Sequence, residues 1–161
     1  MRSFERDLLA LLPRLRRFAR SLSRDLADAD DLLQIALERA LKARDAWQPG
    51  TRLDAWMMKI VRNCWIDEVR SRARRSQTFL EEDGASTVAD VLGGEARAND
   101  RHSIDWAMSR LSPDQREVVA LVLVEGLSYR EAADVLEIPV GTLTSRLNRG
   151  RQTLAGLLEA A

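Results

Sequence analysis

Cysteine and histidine occur once each in this chain, and neither sign of charge is in surplus: 25 Lys and Arg stand against 25 Asp and Glu in 161 residues. A lone Cys64 rules out an internal disulfide and fits a reducing compartment. His102 lies far from Cys64 in sequence, which argues against a protein-supplied zinc site, and no metal or other cofactor is expected. No apolar run is long enough to span a membrane, and the charged first 25 residues lack the apolar stretch of a signal peptide. The expectation is a cytoplasmic protein that does not insert into membranes. Also missing are a nucleophile paired with a base and a glycine loop that could cradle phosphate, which argues against an enzyme.

What is present is helical periodicity. The 45% apolar fraction is that of a globular protein, and the length allows one ordinary domain or two small ones. Leu, Ile and Val recur at three- and four-residue spacing almost everywhere outside residues 76–100, with no alternating strand pattern, so the fold class is all-α. Leu8, Leu11, Leu12, Leu15 and Phe18 form one face of a first helix. Asp28, Asp30 and Asp31 place acids in the first turn of a second, near the positive end of its backbone dipole. That helix should stop around Trp47–Thr51, where Pro49 and Gly50 punctuate the chain, and a third should run from about Leu53 to Arg75. Residues 76–100 read as a flexible acidic linker with at most a helical turn near Val88–Leu92. Ser112, Pro113, Gln115 and Gly126 then supply the N-cap, first position, third-position partner and terminator of another helix. The economical architecture is two small helical domains, 1–75 and 101–161, joined by the linker 76–100.

Charge follows the same division. Residues 1–75 hold 17 basic against 11 acidic side chains, residues 76–117 hold 4 against 9, and residues 118–161 hold 4 against 5. Neutrality therefore conceals a basic first module.

Ser128 and Glu131 form a capping box that starts a helix at Tyr129, and Pro139 limits that helix to about Leu136. Proline suits the start of the next helix, giving a helix-turn-helix. On the second of the pair, Val140, Leu143 and Leu147 fall within roughly 60° of one another and should face the core. Gly141, Ser145, Asn148, Arg149 and Gln152 then face outward, with Arg146 to one side and Arg151 further along. That polar, acid-poor face suits duplex DNA, and it equally suits the solvated side of a packed helix. Glu137 stands where many such turns have a left-handed glycine, at a cost of roughly 1 kcal/mol.

In the first module, Leu53, Met57, Ile60 and Cys64 make a buried stripe. Lys59, Asn63, Ile66, Arg70 and Arg74 make a second stripe, with Trp56 and Asp67 at its margin. A basic stripe with an aromatic edge suits a nucleic-acid strand. Solvated arginines over a core that includes Trp56 and Trp65 would give the same pattern.

The segments "DADDLLQIALERALKA", "RLDAWMMKIVRNCWIDEVRSRARR" and "LSPDQREVVALVLVEGLSYREAADVLEIPVGTLTSRLNRGRQTL" resemble, in this order and spacing, the small sigma factors of bacterial RNA polymerase. The likeness is to the extracytoplasmic-function group and covers nearly the whole chain except the linker. It implies an alternative sigma factor that binds core RNA polymerase and promoter DNA, directs promoter-specific initiation and is held inactive by an anti-sigma factor. Asn63 and Asp67 occupy positions that contact −10 bases, on the face that also carries Trp56, Lys59 and Arg70. Trp47, Gln48, Pro49, Gly50 and Thr51 correspond to the pocket for a flipped-out base. Thr144, Ser145, Asn148 and Arg149 occupy positions at the −35 duplex, with Arg146 on phosphate. Asp31, Leu33 and Gln34 match the motif that docks on the polymerase clamp. Ile35 stands where the family usually has Glu, and Leu37 where it has an aromatic. Core packing explains Leu33 and Leu37 equally well.

The resemblance also accounts for neutrality, since a factor carried to DNA by a large polymerase needs little attraction of its own. Two other functions fit parts of the pattern: a helix-turn-helix regulator acting without polymerase, and a decoy that mimics a sigma factor and traps its inhibitor.

Overall fold

Ser3 opens α1 (Phe4–Ser23), its hydroxyl accepting from the Arg6 N–H at 3.2 Å. The computed structural model describes residues 3–83 and 104–159, all of them helix, turn or loop, so the all-α expectation holds among the described residues. The helical turn expected near Val88–Leu92 lies outside them. On α1, Leu8, Leu15 and Phe18 are buried and Leu11 and Leu12 partly so, on the face that the leucine spacing indicates.

α2 (Leu26–Lys42) starts after Asp25, whose carboxylate accepts from the Asp28 N–H at 3.0 Å. Asp28 is therefore the first-turn acid, while Asp30 and Asp31 fall a turn later than expected, because Asp25 takes the cap. The helix also ends earlier than Pro49. A 3-10 turn at Arg44–Ala46 leads into the Trp47–Thr51 loop, where Gly50 takes a φ of 90°. α3 (Leu53–Asp83) continues past Arg75, since Ser76–Asp83 contains no glycine or proline to stop it. Its buried side is wider than one stripe. Met57, Met58, Val61, Cys64 and Trp65 are all buried, whereas Leu53 and Ile60 are only partly so, because α1, α2 and α6 all pack against it.

The second half comprises α4 (Ile104–Ser109), α5 (Pro113–Val119), α6 (Tyr129–Leu136) and α7 (Val140–Glu159). Ser112 caps α5, accepting from the Gln115 N–H at 3.3 Å, and the Ser128–Glu131 capping box of α6 is formed in both directions. Between these helices the chain makes a π turn over Ala120–Val124, closed by the Glu125 N–H on the Ala120 carbonyl at 2.9 Å. Gly126, at φ 74°, then reverses the chain. α7 lies close on α5 at Gly150, where an added Cβ would sit 2.8 Å from a Val119 methyl.

The two halves touch. Their buried side chains form one continuous cluster, with α1 against α5 and the π turn, and α3 against α6. Charge follows the same line. Arg17 grips the Glu125 carboxylate through two hydrogen bonds of 2.7 and 3.0 Å, and Arg14 reaches the same carboxylate at 3.2 Å and its backbone carbonyl at 2.9 Å. Arg52 pairs with Glu131, Lys59 with Glu137 at 3.3 Å, and Arg62 with Glu117 at 3.5 Å. The basic surplus of residues 1–75 is thus partly spent on carboxylates of the second half.

Candidate nucleic-acid interface

α7 stands on the core through Leu143 and Leu147, both fully buried. Val140, expected on the same face, is 43% exposed, because it begins the helix beyond the cover of α6. Gly141, Ser145, Asn148, Arg149 and Gln152 are exposed, as the helical wheel predicts. Thr144 is half-buried at the edge, its hydroxyl donating back to the Val140 carbonyl at 2.9 Å. Arg149 donates to the Ser145 hydroxyl one turn away at 2.8 Å, which orders the guanidinium along the outward face. Arg146 leans toward α5, 3.9 Å from Asp114.

The turn that presents α7 is left-handed at a residue other than glycine. Glu137 sits at φ 55°, ψ 44°, left-handed, and the Ile138 N–H reaches the Ala133 carbonyl at 3.1 Å. The strain of about 1 kcal/mol is opposed by the pairing of its carboxylate with Lys59.

On α3, Lys59 and Asn63 are half-buried and Asp67, Arg70 and Arg74 exposed. Asp67 accepts from Arg39 of α2 at 2.8 Å, and that hydrogen bond raises the guanidinium's pKa. Arg39 had no signal in the sequence, since the pairing depends on the register between two helices. Trp56 meets Phe4 edge-on at 6.0 Å, and Trp47 lies 5.7 Å from the same ring. Gln48, Pro49, Gly50 and Thr51 are exposed, and Thr51 closes their loop by donating to the Gln48 carbonyl at 2.6 Å. The Trp47 indole N–H is buried with no hydrogen-bond partner among the described residues.

A separate hollow of about 380 Å³ opens between α2 and α3. Asp31 and Gln34 line it together with Ile35, Trp65 and Arg72, whereas Leu33 does not and is buried in the core. The hollow's lining combines the acids Asp28, Asp31, Glu38 and Glu68 with the apolar Leu32, Ile35 and Trp65. Arg72 stacks over Trp65 at 5.8 Å and pairs with Asp28 and Glu68 at 3.1 and 3.0 Å. Trp65 and Arg72 were missed as parts of this surface because their partners come from α2.

Four charged side chains are buried among the described residues, Asp54, Arg116, Glu117 and Glu125. Burial opposes the charge of Asp54, but hydrogen bonds from Arg52, the Ala55 N–H and Arg14 outweigh it and hold the carboxyl below its ordinary pKa. Burial pushes Glu117 up despite Arg62. Burial, with Arg24 nearby, lowers Arg116 to about 10. Among the described residues no group of His, Cys, Asp and Glu is arranged to hold a metal, and no helix is long and apolar enough to cross a membrane.

Comparison with known proteins matches each half separately. The Sigma-70 region 2 family model covers residues 8–75, and the Sigma-70, region 4 model covers residues 101–154. The ECF RNA polymerase sigma factor EcfG of Rhodopseudomonas palustris is 40% identical over 97% of this chain and 85% of its own. The RNA polymerase sigma factor CarQ of Myxococcus xanthus is 33% identical over 91% and 83%. Among solved structures, the sigma factor RpoE in complex with the anti-sigma factor NepR from Bartonella quintana is 36% identical, covers 97% of this chain and 96% of the other, and has a TM-score of 0.79. CnrH in complex with the cytosolic domain of CnrY is 28% identical over 98% and 88%, with a TM-score of 0.68. With both regions matched in order and a relative so similar along nearly its whole length, the chain belongs to the ECF group of RNA polymerase sigma factors.

Proposed function

We propose that this chain binds core RNA polymerase and directs promoter-specific transcription initiation, with one module on each promoter element. The observation that carries the reading is the exposed face of α7, where Ser145, Asn148 and Arg149 stand together without a carboxylate on a helix-turn-helix. Side chains of these types bond base edges, and an arginine held by a neighbouring hydroxyl is poised for guanine. Thr144 joins them at the rim and Arg146 serves the phosphates of the −35 duplex.

Residues 1–75 form the module for the −10 element, 76–100 the tether and 101–161 the −35 module, although α3 itself runs on to Asp83. Asn63, Asp67 and Arg70 meet the −10 bases and backbone, with Trp56 and Lys59 at the near end of the stripe. The loop from Trp47 to Thr51 receives an unstacked base, whose hydrogen-bonding edge would find the buried indole N–H of Trp47. Strand opening then draws on binding energy alone, with no chemical step and no cofactor. The hollow beside Asp31 and Gln34 docks the polymerase clamp, and Leu33 supports it from within the core. An anti-sigma factor restrains the chain in the cytoplasm.

Run-off transcription with core polymerase on a promoter library tests the reading. Initiation at a defined promoter is the expected result, and no initiation above core polymerase alone refutes it.

A further inference from the structure

The cross-module ion pairs serve no purpose in a chain whose modules work apart. The positions that name the two promoter elements lie roughly 25 base pairs apart, about 85 Å of duplex at ~3.4 Å per pair. A compact chain of this length has a radius of gyration of about 15 Å and spans about 40 Å. Modules joined as they are here cannot occupy both elements at once. The arrangement extends over the whole chain in a relative caught with its inhibitor, since the superposition on RpoE covers 97% of this chain at a TM-score of 0.79.

We propose that Glu125 is the bolt of an intramolecular latch: with Arg14 and Arg17 it holds the two modules closed, and the polymerase must break it before the promoter can be read. The geometry is specific. Glu125 has a side chain only 1% exposed, yet it lies at the end of the π turn, and its ligands come from α1, more than 100 residues earlier. The π turn supplies the extra residue that swings Glu125 out of the helical path toward α1, a use typical of such bulges. Arg14 extends the network to Asp54, and Arg52 carries it from Asp54 to Glu131, so the chain of charges crosses the seam twice. Closure also occupies the −10 face, since Glu137 of the turn before α7 takes Lys59. That contact engages part of the −10 surface and leaves the outward face of α7 exposed.

The latch rests on the proposed function for its purpose but not for its existence. Small-angle scattering of the full-length chain, with neither polymerase nor DNA, measures it directly. Wild type should have a radius of gyration of about 15–17 Å apart from any tail contribution, and Arg14→Ala/Arg17→Ala should expand it at unchanged helicity by circular dichroism. Glu125→Ala should do the same. Because it empties a buried site, the α1 double variant, whose side chains are 31% and 52% exposed, guards against simple misfolding. The reciprocal exchange Arg17→Glu/Glu125→Arg should restore part of the compactness. In run-off transcription the opened variants should reach half-maximal initiation at a severalfold lower concentration than wild type. An extended wild type, or well-folded variants as compact as wild type, overturns the latch. Expansion with no fall in the required concentration overturns its restraining role. A chain that never initiates would sink the proposed function and leave the scattering result standing.

Discussion

α7 presents Ser145, Asn148 and Arg149 to solvent, with Arg149 donating to the Ser145 hydroxyl, whereas the corresponding stripe of α3 has Lys59 paired with Glu137 and Asp67 paired with Arg39. The face proposed to read the −35 element is open to solvent, while the stripe proposed for the −10 element is partly engaged by ion pairs. The difference follows from how each is built. α7 is placed by short-range devices, a capping box, a left-handed turn and Gly150 against Val119, all within one half. The α3 stripe is shaped by neighbours from three other helices.

The strongest way to break the contrast is to remove the footing of α7. Leu147→Ala in that fully buried site should lower stability by about 2–5 kcal/mol, read as a lower unfolding midpoint. Arg149→Ala comes next. It should weaken use of the −35 element by about 1–3 kcal/mol in competition transcription while polymerase affinity stays unchanged. Equal loss of both would indicate a damaged fold. Ser128→Ala removes one arm of the capping box and should cost about 1 kcal/mol by denaturant unfolding, without altering the compactness of the first half.

A finer comparison comes from pH. Asp54 is held below its ordinary pKa, so its contribution to stability is present above about pH 4, the unfolded value, and is lost as pH falls through the folded one. Glu117 is raised, so its effect has the opposite sign: stability declines as pH rises from about 4.3 through its folded pKa. Asp54→Asn should flatten the acid limb of the stability profile, and Glu117→Gln the decline above it.

How much of this was legible in the sequence tracks the same division. Ser112, Gly126, the Ser128–Glu131 box and the left-handed Glu137 are each within a few residues of what they act on, and all were placed correctly. The five outward residues of α7 followed from one helical wheel. Asp25, Asp28, Asp30 and Asp31 all carry the same electrostatic signal for a helix start, and only the backbone geometry singles out Asp25 as the cap. Periodicity ended α3 at Arg75, but a helix needs no apolar stripe to continue where nothing breaks it. The pairings of Arg39, Arg72 and Glu125 bring together residues 28, 44 and 108 or more positions apart, and no local pattern records them. The basic first half was visible as charge, but its acidic partners across the seam were not.

The central claim is that two weakly attractive modules read a promoter only when polymerase carries them. Fluorescence anisotropy with a labelled promoter duplex tests it, titrating the full-length chain alone and then with core polymerase. The account predicts weak, salt-sensitive binding alone and tight, promoter-selective binding with the polymerase. Tight selective binding by the isolated chain, unchanged when polymerase is added, would contradict it.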